Sequence, residues 1–160
     1  MKLYIKAKRF AWHDTLLVRD EEDDVLFEIK SELISMGNKI NISNPLNEKV
    51  VTIEENKLSK HPKYTISDEH EKLATVKKDK SWIGSDYEIG ISKWRLSGDV
   101  EGNDYHIKNN FKTIATLKKK KLSMGETFIL EVKDGIHPKL PLGIVAAVWA
   151  IQKEIEEAEK

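Results

Sequence analysis

Cysteine is absent from the 160 residues, which excludes a disulfide scaffold, a thiolate zinc site and a thiol nucleophile. The lack fits a reducing compartment. Net charge is absent as well, with 27 Lys and Arg set against 27 Asp and Glu. A dedicated nucleic-acid binder shows its cationic excess in the total, so none is expected here. Apolar runs long enough to span a bilayer are also lacking. The opening MKLYIKAKRF alternates lysine with apolar residues, so no secretory signal is expected there. Missing too are a G-x-S-x-G elbow, a phosphate-binding P-loop, a G-x-G-x-x-G turn and any H-x-x-x-H pair. No enzyme, no metal site and no cofactor are therefore expected. A charged fraction of 34% is high, but four Trp, four Tyr and four Phe are too many for a disordered chain.

What is present is a recurring β pattern. Six times a turn is followed by two core-type residues separated by one: Leu16/Val18, Ile40/Ile42, Tyr64/Ile66, Tyr87/Ile89, Tyr105/Ile107 and Phe128/Leu130. The turns before them look related, from AWHD at 11–14 through SMGN at 35–38, SKHP at 59–62 and WIGS at 82–85 to SMGE at 123–126. Gly, Asn, Asp and Pro suit such turns because the backbone there needs a positive or pre-set φ. Complementary strands fall between the pairs: Leu3–Phe10, Val25–Ile29, Val50–Ile53, Leu73–Val76, Trp94–Leu96 and Phe111–Leu117. A period of about 23 residues fits two ordinary strands and two turns. The chain reads as six hairpins, or twelve strands.

The C-terminus departs from this pattern. Leu140–Ile151, LPLGIVAAVWAI, has no charge and no alternation, and Pro141 suits a first helical turn. Twelve helical residues rise about 18 Å, short of the ~30 Å of a bilayer core. A helix apolar on every face but too short to span belongs inside protein. Twelve strands that close leave a lumen too wide for their own side chains to fill. The expected fold is therefore mainly β: a closed twelve-stranded antiparallel barrel enclosing a hydrophobic C-terminal α-helix. Gly143, Ala146 and Ala147 would let the helix approach the wall, and Trp149 would fill the widest part. One domain over 1–160 is expected, with strands over about 2–133 and the helix over about 140–158.

These features together resemble the LURP-one-related (LOR) family, in the superfamily of tubby C-terminal-like domains and phospholipid scramblases, and its small bacterial type in particular. The resemblance rests on MKLYIKAKRFAWHDTLLVRD, the repeated S-M-G turn, the K-Y-T-I and D-Y-E-I strands, DYHI with the lysine-rich strand after it, and the terminal helix. These are architectural signatures, and none is catalytic. The resemblance implies a tubby-like barrel around a buried helix. It implies no established activity for the small bacterial members, although tubby-like domains bind phosphoinositide headgroups through basic surface side chains.

The candidate ligand-binding residues lie in Tyr105–Gly125, which has six bases and no acid: Lys108, Lys112, Lys118, Lys119, Lys120 and Lys121. Such a stretch can face anionic headgroups, or it can keep a strand soluble and unavailable for edge pairing. Successive strand side chains alternate, so Lys118 and Lys120 should diverge from Lys119 and Lys121. Asp14–Glu32 has the opposite bias, with eight acids and two bases. Its DEEDD run at 20–24 lacks the spacing and glycine of a calcium loop, and a soluble hairpin tip is expected. His13, His61, His70, His106 and His137 show no ligand spacing. Among the tryptophans, Trp94 between Lys93 and Arg95 invites a stacking reading, whereas Trp12, Trp82 and Trp149 read as packing. The expected function is a non-enzymatic cytoplasmic binding module, peripheral to a membrane and meeting anionic phospholipid or phosphoinositide headgroups. The alternative is a scaffold barrel that binds an unknown protein, with an undetected hydrolase as a remote third.

Overall fold

A computed structural model describes residues 1–7, 15–34, 37–79, 87–122 and 125–159. The turn motifs at 11–14 and 82–85, with Trp12, His13 and Trp82, lie outside the described residues, as do 35–36 and 123–124. Twelve strands precede one helix: β1 Lys2–Ala7, β2 Thr15–Arg19, β3 Val25–Ile34, β4 Gly37–Ser43, β5 Lys49–Glu55 and β6 Lys63–Ser67. They continue with β7 Lys72–Lys78, β8 Tyr87–Gly90, β9 Trp94–Asp99, β10 Asp104–Asn109, β11 Lys112–Leu122 and β12 Gly125–Val132, ahead of α1 Lys139–Ala158. Each of the six apolar pairs falls on an even-numbered strand, and ten of the twelve side chains are buried. The two exceptions, Tyr87 and Ile89, are half-buried on β8.

Every pairing is antiparallel, in the order β8-β7-β6-β5-β4-β3-β2-β1-β12-β11-β10-β9. Consecutive strands are neighbours throughout except at β1 and β12, where Leu3 pairs with Leu130 and Ile5 with Phe128. The N-terminal ammonium donates to the Val132 carbonyl at 3.0 Å beside this junction. The barrel is nearly closed: β8 and β9 lie at the two ends of the order and share no ladder among the described residues. The described part of β8 is Tyr87–Gly90, and a tight turn closed by Ser92 N–H on the Gly90 carbonyl follows it.

The lumen is filled by α1, whose residues Pro141–Ile151 are all buried. They meet inward side chains of the strands, including Leu3, Ile5, Ile40, Ile53, Tyr64, Ile66, Tyr105 and Leu130. Gly143 is where helix and wall come closest: a Cβ there would lie 2.9 Å from Ile66 Cγ2. Trp149 stacks at a tilt on Phe128 with ring centroids 4.9 Å apart, and its Nε1 donates to Asn103 Oδ1 at 2.9 Å. The helix enters at the end of the barrel that holds the β2–β3, β4–β5, β6–β7, β8–β9 and β10–β11 tips. There Lys139 Nζ meets Asp68 Oδ2 at 3.2 Å. At the opposite end Tyr64 donates its hydroxyl proton to Glu154 Oε2 at 3.2 Å and accepts from Asn38 Nδ2 at the same distance.

Candidate anion-binding surface

The six lysines do not form a single patch. β11 runs unbroken from Lys112 to Leu122, so Lys112 and Lys118 are roughly 20 Å apart along the strand at about 3.3 Å per residue. Lys118 and Lys120 are opposite Ile129 and Thr127 of β12, which in turn are opposite Tyr4 and Lys6 of β1. Ile129 and Tyr4 alternate with the buried Leu130, Leu3 and Ile5 and therefore face outward. Lys118, Lys120 and Lys6 thus share the outer wall, two strand spacings apart. Lys119 has the other parity, opposite Phe128, and its Nζ approaches Glu126 Oε1 at 3.5 Å. Lys121 is opposite Glu126 on the backbone, with its side chain outside the described residues.

Lys108 and Lys112 belong to a different place, the end of the barrel where the β8–β9 and β10–β11 turns sit side by side. Trp94 pairs with Asn109 and Arg95 with Lys108, so the strand register brings the two turns together. Lys108 pairs with Arg95 on one side and Thr113 on the other. A bulge between Ile107 and Lys108 adds Ile114 to β11 as an extra, buried residue. Arg95 and Lys108 are therefore like charges directly opposite each other, an arrangement that destabilises a sheet. Among the described residues neither forms an ion pair, and residues 89–98 and 105–122 contain no acid. The Arg95 guanidinium donates to the Asn110 carbonyl at 3.1 Å, which ties one turn to the other and holds the charge at the tip.

Both turns display an apolar side chain. Phe111 was expected to open a core strand, but β11 starts one residue later and Phe111 is 95% exposed. The physical reason is Asn110, whose φ of 56° reverses the chain and leaves the next side chain beyond the sheet. Ile91 is 64% exposed at the centre of a γ-turn closed by Ser92 N–H donating to the Gly90 carbonyl at 2.7 Å. Its φ is 66°, an unfavourable region for a β-branched residue and the strained form of this turn. Trp94 pairs with Asn109 from the inner side and is half-buried against the core, so it packs.

The other charged features have local explanations. In the acidic tip, Asp20 Oδ1 accepts the N–H groups of Glu22 and Asp24 at 2.9 and 3.0 Å, and Arg19 Nη1 donates to the Asp23 carbonyl at 2.8 Å. Carboxylate oxygens of Asp20, Glu22 and Asp24 come within 4.8 Å of one another. Asp20 Oδ1 is already engaged in shaping the turn. A groove of about 510 Å³ runs along the outer wall beside this tip, with Tyr4 and Leu17 between the cations Lys6 and Arg19 and the acids Asp20 and Asp23. Its charge is mixed, and Arg19 is already held by Asp23.

Histidines are dispersed: His70 faces Glu69, His106 Nδ1 is 2.9 Å from Thr116 Oγ1, and His137 Nδ1 accepts from Lys139 N–H. None belongs to a group of three candidate metal ligands among the described residues. Burial holds the Tyr64, Tyr87 and Tyr105 hydroxyls neutral, with their pKa values raised. Burial and then the Glu55 carboxylate push Glu154 upward. Asp68 is held down to about 2, first by the Glu71 N–H and then by that of His70. No described helix is long and apolar enough to cross a membrane.

Sequence reasoning found Lys108 and Lys112 but missed Ile91, Arg95 and Phe111 as parts of the same corner. The signal was available in Asn109-Asn110-Phe111 and Gly90-Ile91-Ser92, where turn formers flank a single apolar residue. Comparisons with known proteins agree with this architecture. The family model described as LURP-one-related matches residues 1–149. The uncharacterized protein YxjI of Bacillus subtilis is 22% identical over 132 residues, which is 82% of each chain. The crystal structure of the Arabidopsis thaliana protein AT5G01750 superposes with a TM-score of 0.58, at 15% identity over 97% of this chain and 91% of that one. The latter likeness is one of fold.

Proposed function

The chain belongs to the LURP-one-related family, and from that premise we propose that it is a non-enzymatic binding module for anionic phospholipid surfaces. It would act peripherally at a cytoplasmic membrane face, as tubby-like relatives in the superfamily do with phosphoinositides. The observation that supports this reading is the unrelieved pairing of Arg95 with Lys108. A like-charge cross-strand pair works against folding by some tenths of a kcal/mol. An anionic headgroup bound between the two cations would reverse that sign, with each basic residue near such a surface contributing about 1 kcal/mol. Lys93 stands on the β8–β9 turn just before the pair, and Lys112 opens β11 opposite Asn109, on the Trp94 face of the same corner. Lys118, Lys120 and Lys6 stand further along the wall, where they add long-range attraction.

The test uses Lys108→Glu, which replaces the repulsive pair with an attractive one. The variant should unfold at the same urea concentration as the wild type or a slightly higher one. It should also lose co-sedimentation with vesicles containing phosphatidylserine at low salt. Failure of the wild type to bind such vesicles at low ionic strength would end this reading. A stoichiometric protein partner recovered independently of lipid would instead support the scaffold alternative.

A further inference from the structure

We propose that the adjoining β8–β9 and β10–β11 tips form a bilayer-inserting edge, in which Ile91 and Phe111 enter the interface of an anionic membrane while Lys93, Arg95, Lys108 and Lys112 hold its headgroups. This rests on the reading just given and adds which edge meets the membrane and by which apolar side chains. Each tip presents one large apolar residue to solvent, 95% exposed for Phe111 and 64% for Ile91. The Trp94–Asn109 pairing and the Arg95-to-Asn110 hydrogen bond hold the two tips next to each other.

Neither side chain contributes to the core, and Ile91 occupies a backbone conformation where glycine or asparagine would be less strained. Strain kept at an exposed apolar residue points to a use outside the fold. Size and charge select the occupant. Two side chains fall far short of the roughly 800 Å² that each partner contributes to a stable protein interface. They do match peripheral membrane attachment, where a small apolar anchor is marginal alone and becomes effective with a basic patch. Four cations flank the anchors with no acid on either hairpin between 89 and 98 or between 105 and 122. Acids on neighbouring segments face cations of their own: Glu88 of β8 lies opposite Lys77 in the ladder, Asp68 on the β6–β7 tip meets Lys139, and Asp134 is 3.7 Å from the N-terminal ammonium. Glu69 faces His70 on that same neighbouring tip.

Absence of cysteine makes the test direct, because a single introduced thiol can be labelled uniquely. Phe111→Cys and Leu58→Cys, each bearing a polarity-sensitive fluorophore, are mixed with phosphatidylcholine vesicles with and without phosphatidylserine. Leu58 is 98% exposed on the β5–β6 turn at the opposite end of the barrel. A blue shift at position 111 with anionic vesicles, and none at 58, is expected. Phe111→Ala should weaken vesicle binding by about ten- to a hundred-fold, as expected for withdrawing a buried aromatic ring from the interface. Ile91→Gly should weaken it less while leaving the turn intact. Co-sedimentation with no shift at 111 would overturn the inserting edge and leave the broader lipid reading standing. Absence of co-sedimentation would overturn both.

Discussion

Gly143→Ala tests whether α1 is seated against the wall as tightly as the structure has it. In an ordinary helix interior this change stabilises by about 0.8–1.0 kcal/mol, because glycine loses more backbone freedom on folding. Here the new methyl would sit 2.9 Å from Ile66 Cγ2 and 3.4 Å from Ile66 Cδ1. Carbon atoms prefer about 3.5–4.0 Å, so helix or strand must give by several tenths of an ångström. Ile66 has little freedom to yield: it is fully buried near the end of β6, paired with Ile53 and Ala74 on either side, and its Cγ2 is fixed to a β-branched carbon. Overpacking of this kind costs about 1–3 kcal/mol, which exceeds the propensity gain. A net loss of up to about 2 kcal/mol is expected. Urea unfolding of the two single variants and the double variant with Ile66→Ala would measure it. Ile66→Ala alone should cost about 2–5 kcal/mol. The double variant should be more stable than the sum of the singles by about 0.5–3 kcal/mol, because the methyl then has room. Stabilisation by Gly143→Ala alone, or additivity within about 0.3–0.5 kcal/mol, would refute the close approach.

Two further outcomes follow from contacts at the barrel ends. Asn103→Gly preserves the positive φ of 57° but removes the acceptor of Trp149 Nε1, and should cost about 1 kcal/mol in urea unfolding; unchanged stability would show that the bond does not hold the β9–β10 turn to the helix. Asp68 has a depressed pKa, so its stabilising contribution is present above the unfolded carboxylate value of about 3.9 and is lost as pH falls toward about 2. Asp68→Asn should therefore flatten the decline of melting temperature between those pH values, and parallel curves for variant and wild type would refute the assignment.

The strand count, the even-strand core pairs and the buried helix were legible because each is written in local periodicity. Alternation marks one face of a strand, and twelve uncharged residues without alternation mark a helix surrounded on every side. The break between β8 and β9 was not legible, since nothing in Tyr87–Gly90 reads differently from Tyr105–Ile107 until the turn that follows it is seen. The division of the lysines was legible only in part. Alternation separated Lys119 from Lys118 and Lys120, but the length of β11, which sets Lys108 and Lys112 far from Lys118–Lys121, and the approach of Lys119 to Glu126 were visible only in the structure. Conversely, Arg95 and Lys108 are distant in sequence, and only the register of β9 with β10 makes them neighbours. Phe111 was misplaced by one residue, and that one residue decided between core and solvent.

The open β8–β9 boundary also bears on how such a molecule is assembled. Of the eleven ladders among the described residues, ten join strands consecutive in the chain, and β1 with β12 alone requires distant segments to meet. Local hairpins form without large loop-closure entropy, so the late, slow event should be that single encounter. The missing ladder falls between sequence neighbours, where the sheet can splay like a hinged cover without any strand pair being broken. The twenty residues of α1 can then be laid in from the side, and no threading through a finished ring is required.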